Sequence, residues 1–244
     1  SRASFKRRVS RLFTLHKYPS FAELRYRLRN DAEYVKQFVE ELTVNVTEMF
    51  RDPGFYKVLR EEVLPRLGTY PFIRIWHAGC STGEEVFSVA IILKELNLLN
   101  KTLLYATDLN ASVLQKARNG IFPLSQMKQY SENYIASGGK QDFSGYYTAN
   151  YSGAKFSEQL SSRMIFSTHN LVSDHSFNEF HLILCRNVLI YFDRDLQERV
   201  FHLFDESLAN FGYLALGSKE TIKFSEMSKR FKQTGKERVW RKER

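Results

Sequence analysis

Cysteine is scarce. Cys80 and Cys185 are the only two in 244 residues, and neither has a CxxC partner or paired histidines nearby. That excludes a zinc framework and a disulfide scaffold, and it fits a reduced, cytoplasmic compartment. No apolar run approaches the ~20 residues of a spanning helix, and no secretory leader is visible, so no membrane insertion is expected. Internal repeats and low-complexity tracts are absent. Acidic residues are outnumbered 27 to 36, leaving a net charge of +9. A basic chain favours acidic partners: nucleic acid, anionic lipid or a carboxylate-rich protein surface. Aromatics are not lacking. With 20 Phe, 13 Tyr and 43% hydrophobic residues, the chain can bury a real core and is not a disordered tract.

The first 44 residues or so predict a small helical unit. In SFKRRVSRLFTLH, Phe5, Val9, Leu12 and Phe13 share one face, with Arg7, Arg8 and Arg11 roughly opposite. Ser20 and Glu23 have the capping-box spacing, and Asn30 with Glu33 suggests a second. From residue 72 apolar strands alternate with amphipathic helices. FIRIWHAG, LLYATDLN, RMIFSTHNL, FHLILCRN and FGYLALGS are the strand candidates. That alternation predicts an α/β fold with a mostly parallel sheet covered on both faces. A C-terminal antiparallel hairpin is expected around Thr234-Gly235. Residues 134–163, rich in Gly, Ser, Asn and Tyr, break the alternation and predict a small inserted antiparallel β unit. The expected division is 1–57 for the helical domain and linker, and 58–244 for the α/β domain.

In an open α/β sheet, ligands bind beyond the carboxyl ends of the strands, where strand order reverses. AGCSTGEE follows the first strand there, with Gly79 and Gly83 permitting a sharp turn. The spacing is not GxGxxG and no P-loop lysine follows, which disfavours a pyrophosphate. Asp108 ends the second strand 25 residues after Gly83, a common place for a carboxylate that accepts from ribose hydroxyls. A nucleoside lacking a diphosphate fits both facts. S-adenosylmethionine is such a cofactor, and Glu84 or Glu85 suits its sulfonium. His77 and His169 are expected to be packed or capping residues, and Cys185 a buried strand residue.

NVTEMFRDP, AGCSTGEE, ATDLN, CRNVLIYF and LGSKE occur in that order. The sequence closely resembles the CheR-type chemoreceptor methyltransferase family, which moves a methyl group from S-adenosylmethionine to receptor glutamates. The resemblance covers nearly the whole chain and implies a class I methyltransferase domain, an N-terminal helical domain and an inserted three-stranded β-subdomain. It assigns cofactor contacts to Asn45, Thr47, Arg51, Gly79, Glu85, Asp108, Asn170, Leu171, Arg186 and Asn187. It places Tyr191 on the acceptor side, and makes Arg51 and Tyr191 the catalytic pair. Val86-Phe87 stands where the family usually has Pro-Tyr, and Met49-Phe50 where it has a double Phe, so packing changes are expected. A leading helix usual in the family is not found, as a truncated chain would show.

The resemblance implies a cytoplasmic helical region of a chemoreceptor, or a similar acidic helix, as the partner. Arg7, Arg8 and Arg11 are the candidates for docking it. A monomer without metal or nucleic acid is expected. Two other readings stay open: a nucleic-acid methyltransferase and a non-catalytic cofactor-binding module. CRNV stands where amino-methylating enzymes of bases use an Asn-Pro-Pro-Tyr-like stretch, which weighs against the first.

Overall fold

The strand Phe180–Cys185 is buried at every position. Leu182 and Leu184 join one apolar cluster, and Ile183 and Cys185 another. A pleated strand sends alternate side chains to opposite faces, so a strand buried throughout needs cover on both. The structure, a computed structural model, describes residues 2–42, 47–151 and 153–244.

Seven strands make the main sheet: β1 (Ile73–Ala78), β2 (Thr102–Asp108), β6 (Met164–Thr168), β7 (Phe180–Cys185), β8 (Leu208–Leu216), β9 (Phe231–Gln233) and β10 (Val239–Lys242). Their order is β6-β2-β1-β7-β8-β10-β9. The first five pair in parallel, and β10 and β9 form the antiparallel end. The chain builds outward from β1 to β6, then returns to lay β7 on β1's other side. The ends of β1 and β7 therefore flank the switch point where a crevice opens.

Among the described residues, the helices around the sheet are α4 (Pro53–Val58), α5 (Leu64–Leu67), α6 (Glu84–Glu95), α7 (Ala111–Asn119), α8 (Met127–Ala136), α9 (Glu158–Ser161) and α10 (Arg194–Ser207), with α3 (Ala32–Leu42) before the linker. α4 continues through a π-helical turn, Leu59–Val63, into α5. The boundary expected at 57/58 thus falls inside one helical run. Phe55, Tyr56, Leu59 and Val63 are packed in the main core with α6. α10 covers the opposite face through Val200, Phe201 and Phe204.

The N-terminal unit is α1 (Arg2–Leu15), α2 (Phe21–Asn30) and α3. Leu12, Tyr18, Leu24, Tyr34 and Phe38 form its own small core. Ser20 caps α2 by accepting from Glu23 N at 3.2 Å, as the sequence predicts. The second cap is Asp31, which accepts from Tyr34 N at 2.9 Å; the Asn30 amide instead donates to Tyr26 O. The side chain of Phe5 lies outside the described residues.

The inserted unit is larger than 134–163. Its sheet is β3 (Ile121–Phe122), β5 (Gly153–Phe156) and β4 (Tyr147–Asn150), all antiparallel in that order. β3 escapes a sequence reading because two residues cannot display alternation. Residues 134–136 are the last turn of α8, not a strand. Phe87 of α6 packs edge-on against Phe122 and Phe156, with centroids at 5.3 and 5.6 Å. Phe87 thus anchors the insert to α6. No helix among the described residues is long and apolar enough to cross a membrane.

Candidate active site

The site grows from the glycine turn. Gly79 has φ +80°, Ser81 +51° and Gly83 +95°. A Cβ on Gly79 would stand 2.5 Å from Val188 Cγ2, so only glycine lets this turn meet the loop after β7. Gly79 N and Cys80 N both donate to Thr107 O, at 2.8 and 2.9 Å. Asp108 ties the end of β2 to the same turn. Its carboxylate accepts from Ser81 N at 2.9 Å and from Asn110 N at 3.0 Å. Burial pushes its pKa up, against the pull of those N–H groups. Helix α7 is capped by Asn110 instead, which accepts from Ser112 N and Val113 N.

Glu85 stands behind the turn in the first turn of α6. It pairs with His77 Nδ1 at 2.9 Å and Arg186 Nη1 at 3.5 Å. Burial alone would raise its pKa, but the His77 hydrogen bond and the Arg186 guanidinium hold it below the usual value. Arg186 is the hub of this wall, with its side chain only 3% exposed. Its Nη2 donates to Arg51 O at 3.1 Å and to Asp52 Oδ2 at 2.7 Å. Its guanidinium sits 4.0 Å from the Phe55 ring centroid. Three acceptors and an aromatic face compensate the desolvation of this charge; deleting the buried partner Glu85 costs about 3–5 kcal/mol, whereas Asp52 is 40% exposed and water can take its place.

Arg51 lies between two residues in the left-handed region, Phe50 (φ +53°) and Asp52 (φ +59°). Neither is glycine, and such conformations cost about 1–3 kcal/mol each. Three contacts hold them: Phe50 N donates to Ser88 Oγ at 3.0 Å, Asn133 Nδ2 donates to Met49 O at 3.0 Å, and Arg186 makes the bonds above. Both apolar residues before Arg51, Met49 and Phe50, are fully buried.

After β7 the chain turns through Asn187 (φ +62°) into a 3-10 turn, Leu189–Tyr191, before Asp193 caps α10. Buried Glu220 fastens this turn by accepting from Asn187 N at 2.9 Å, Ile190 N at 3.2 Å and Gly217 N at 2.6 Å. Tyr191 is 43% exposed, at the rim.

These elements enclose a cavity of about 520 Å³, within the ~300–1,000 Å³ usual for small-molecule sites. Thr47, Arg51, Gly79, Glu85, Asp108, Asn170, Leu171, Arg186, Asn187 and Tyr191 all line it. Asn45 lies outside the described residues. Arg8 lines it too, donating to Leu42 O at 3.2 Å with its guanidinium 5.4 Å from the Tyr191 ring centroid. The three arginines expected to dock a partner therefore do not share a face: Arg7 and Arg11 are exposed, and Arg8 turns inward.

Sequence reasoning missed Ser88, Asp52 and Glu220 as supports. Glu220 stands in the quoted LGSKE, but nothing local shows that it reaches back 33 positions to Asn187. Cys80 lines the cavity and Cys185 is fully buried; burial pushes both thiols well up, away from the thiolate form that a nucleophile needs. Away from the cavity, Glu198, His202 and Glu226 bring ligand-type atoms within 4.8 Å of one another. Glu198 is already accepting from Ser225 Oγ and Glu226 N.

The sheet order, the glycine turn without a phosphate loop, and the strand-end carboxylate together define a class I S-adenosylmethionine-dependent methyltransferase. The chain matches the CheR methyltransferase, SAM binding domain over residues 45–239. It belongs to the CheR methyltransferase family. A Pseudomonas putida KT2440 protein named Cher3 is 45% identical over 243 residues, 99% of this chain and 89% of its own. A chemotaxis protein methyltransferase of Salmonella typhimurium is 34% identical across 85% of this chain and 70% of its own. One from Listeria innocua is 31% identical across 89% and 80%.

Proposed function

We propose that this enzyme methylates glutamate side chains on chemoreceptor helices, giving glutamate methyl esters and S-adenosylhomocysteine. The observation that carries the proposal is the common cavity: the acceptor-side pair, Arg51 and Tyr191, lines the same space as the nucleoside-side residues Asp108 and Glu85. The donors fit the cofactor. Asp108 is fixed by the backbone N–H groups of Ser81 and Asn110, with Leu109 also bearing on it, leaving acceptor capacity for a ribose hydroxyl. Gly79, Asn170 and Leu171 line the same cavity, where Gly79 would meet the cofactor with bare backbone and Asn170 with Leu171 would flank its adenine. The cofactor, when bound, supplies an electrophilic methyl group on a sulfonium.

The chain's residues have alignment to do. A glutamate carboxylate has a reference pKa of ~4.3, so it is ionised at neutral pH and needs no general base. Arg51 offers a planar fork that matches the two carboxylate oxygens. Tyr191 orients one of them through its hydroxyl from the rim. Together they hold a nucleophilic oxygen at near-attack distance, which can account for much of the rate. The grip must be stronger on the transition state than on the free anion. Arg8, turned into the cavity from the helical cap, adds a cation on the acceptor side and favours an acidic partner.

Transfer of a tritiated methyl group to a receptor cytoplasmic fragment tests this. A base-labile product, nearly lost in Arg51→Ala and reduced in Tyr191→Phe, is expected. A base-stable product, or wild-type transfer by Arg51→Ala, would contradict the assignment.

A further inference from the structure

The segment carrying Arg51 is built in a way that a plain linker is not. Left-handed residues flank Arg51 on both sides, at Phe50 and Asp52. A bulky residue in that region is a true outlier and persists only where its surroundings impose it. Here the surroundings are visible. Phe50 is gripped by Ser88 through its N–H and by Tyr56, Tyr134 and Phe143 through its ring, at 5.2, 5.2 and 6.2 Å. Asp52 is the revealing residue. It stands directly before Pro53 at the start of α4, where an aspartate ordinarily caps the helix. Its side chain makes no capping bond. The carboxylate turns away and takes Arg186 Nη2 at 2.7 Å, while the same nitrogen takes the carbonyl of Arg51 at 3.1 Å. Asp52 itself is not part of the cavity lining, whereas Arg51 and Arg186 are.

We infer that Asp52, acting through Arg186, is the positioning residue for Arg51: the Asp52–Arg186 pair fixes the left-handed kink that sets the height and heading of Arg51 over the cavity. This rests on the acceptor role given to Arg51 above. Arg186 is held from behind by Glu85 and from below by the Phe55 ring, so it is a rigid post. The kink hangs on that post by two bonds from one nitrogen. Release of the carboxylate leaves Arg186 only the Arg51 carbonyl; Ser88 and Asn133 still hold Phe50 and Met49, but the Arg51–Asp52 end of the segment relaxes toward ordinary backbone geometry. Arg51 then moves relative to the acceptor by a fraction of an ångström; a full ångström can cost about a hundredfold in rate, so a smaller loss is expected here.

Three substitutions at Asp52 separate backbone from carboxylate. Gly tolerates the left-handed φ without strain but has no side chain. Asn tolerates it and keeps a neutral acceptor. Ala does neither. Each is measured for Tm, for S-adenosylhomocysteine affinity by calorimetry, and for kcat and KM toward the acceptor fragment. Asp52→Gly is expected to keep its Tm and to hold cofactor affinity within about threefold, yet to lose roughly tenfold in kcat/KM for the acceptor. Asp52→Asn is expected to fall between Gly and wild type. The decisive arm is the double variant. Because Asp52 acts through Arg51, adding Asp52→Gly to Arg51→Ala should cost nothing beyond the roughly hundredfold loss from Arg51→Ala alone.

A wild-type rate in Asp52→Gly beside a defective Arg51→Ala overturns this inference and leaves the proposed function standing. Full additivity in the double variant, near a thousandfold by the same arithmetic, overturns it likewise. A cofactor affinity that falls as far as the rate makes Asp52 a support of the cofactor wall and also overturns it. Wild-type transfer in Arg51→Ala removes the proposed function and this inference with it.

Discussion

The carboxylate of Glu220 accepts the backbone N–H of Asn187 at 2.9 Å. It also takes Gly217 N and Ile190 N, so one buried side chain sets the turn from which Asn187 and Tyr191 enter the cavity. An ionised carboxylate accepts on both oxygens, whereas an amide presents NH2 on one side. Glu220→Gln therefore points a donor at donors. Leaving such buried N–H groups unmatched costs about 3 kcal/mol, or a Tm lower by roughly 10 °C. Differential scanning calorimetry measures this, and an unchanged Tm would contradict the role.

Asp108 gives the cofactor site a pH dependence. Burial holds its pKa above the ordinary aspartate range. Ribose hydroxyls donate to the ionised form, so bound cofactor favours ionisation. Affinity is then full above that raised pKa and falls as pH drops through it, starting at a higher pH than an ordinary aspartate would allow. Calorimetry with S-adenosylhomocysteine across pH should show this acid limb. Asp108→Asn should weaken binding roughly tenfold, about one charge-assisted hydrogen bond, and abolish the limb. A limb that persists in the variant would assign it to another group.

Gly79→Ala should close the site. The added methyl meets Val188 Cγ2 at 2.5 Å, and φ +80° strains any L side chain. Overpacking of this kind costs about 1–3 kcal/mol, and relief requires the loop after β7 to withdraw. Loss of cofactor binding with the fold retained by circular dichroism is the expected result. Normal affinity would show that the contact yields cheaply.

What could be read from the sequence was what repeats locally. Strands such as Phe180–Cys185, the turn at Gly79 and the Ser20 cap each declare themselves in a few residues. Family motifs then marked candidate site residues, and the described cofactor and acceptor candidates line one cavity. Long-range and very short features stayed hidden. β3 has two residues. Glu220 and Ser88 act across 33 and 38 positions. Arg8 shares its helix with Arg7 and Arg11, but the packing of α1 against α3 and the cavity, not helical periodicity alone, sends it inward.

That divergence among the helix-1 arginines separates two effects. Arg7 and Arg11 are exposed, so their charges steer an acidic helix from solution and are screened by salt. Arg7→Ala with Arg11→Ala should raise acceptor KM severalfold at low ionic strength, less at high, and spare cofactor affinity. Arg8→Ala removes a cation from the cavity and its contact with Tyr191. Its defect should persist in high salt. Steady-state kinetics at two ionic strengths distinguish them; identical salt responses would show that all three act as surface charges.

The most direct test of acceptor chemistry is to locate the transferred methyl. Receptor fragment is incubated with the enzyme and deuteromethyl-labelled cofactor, digested, and sequenced by tandem mass spectrometry before and after mild base. The account expects the label on glutamate side chains, removed by base, and reduced about a hundredfold with Arg51→Ala. Label on lysine, arginine or an amide that survives base would contradict it.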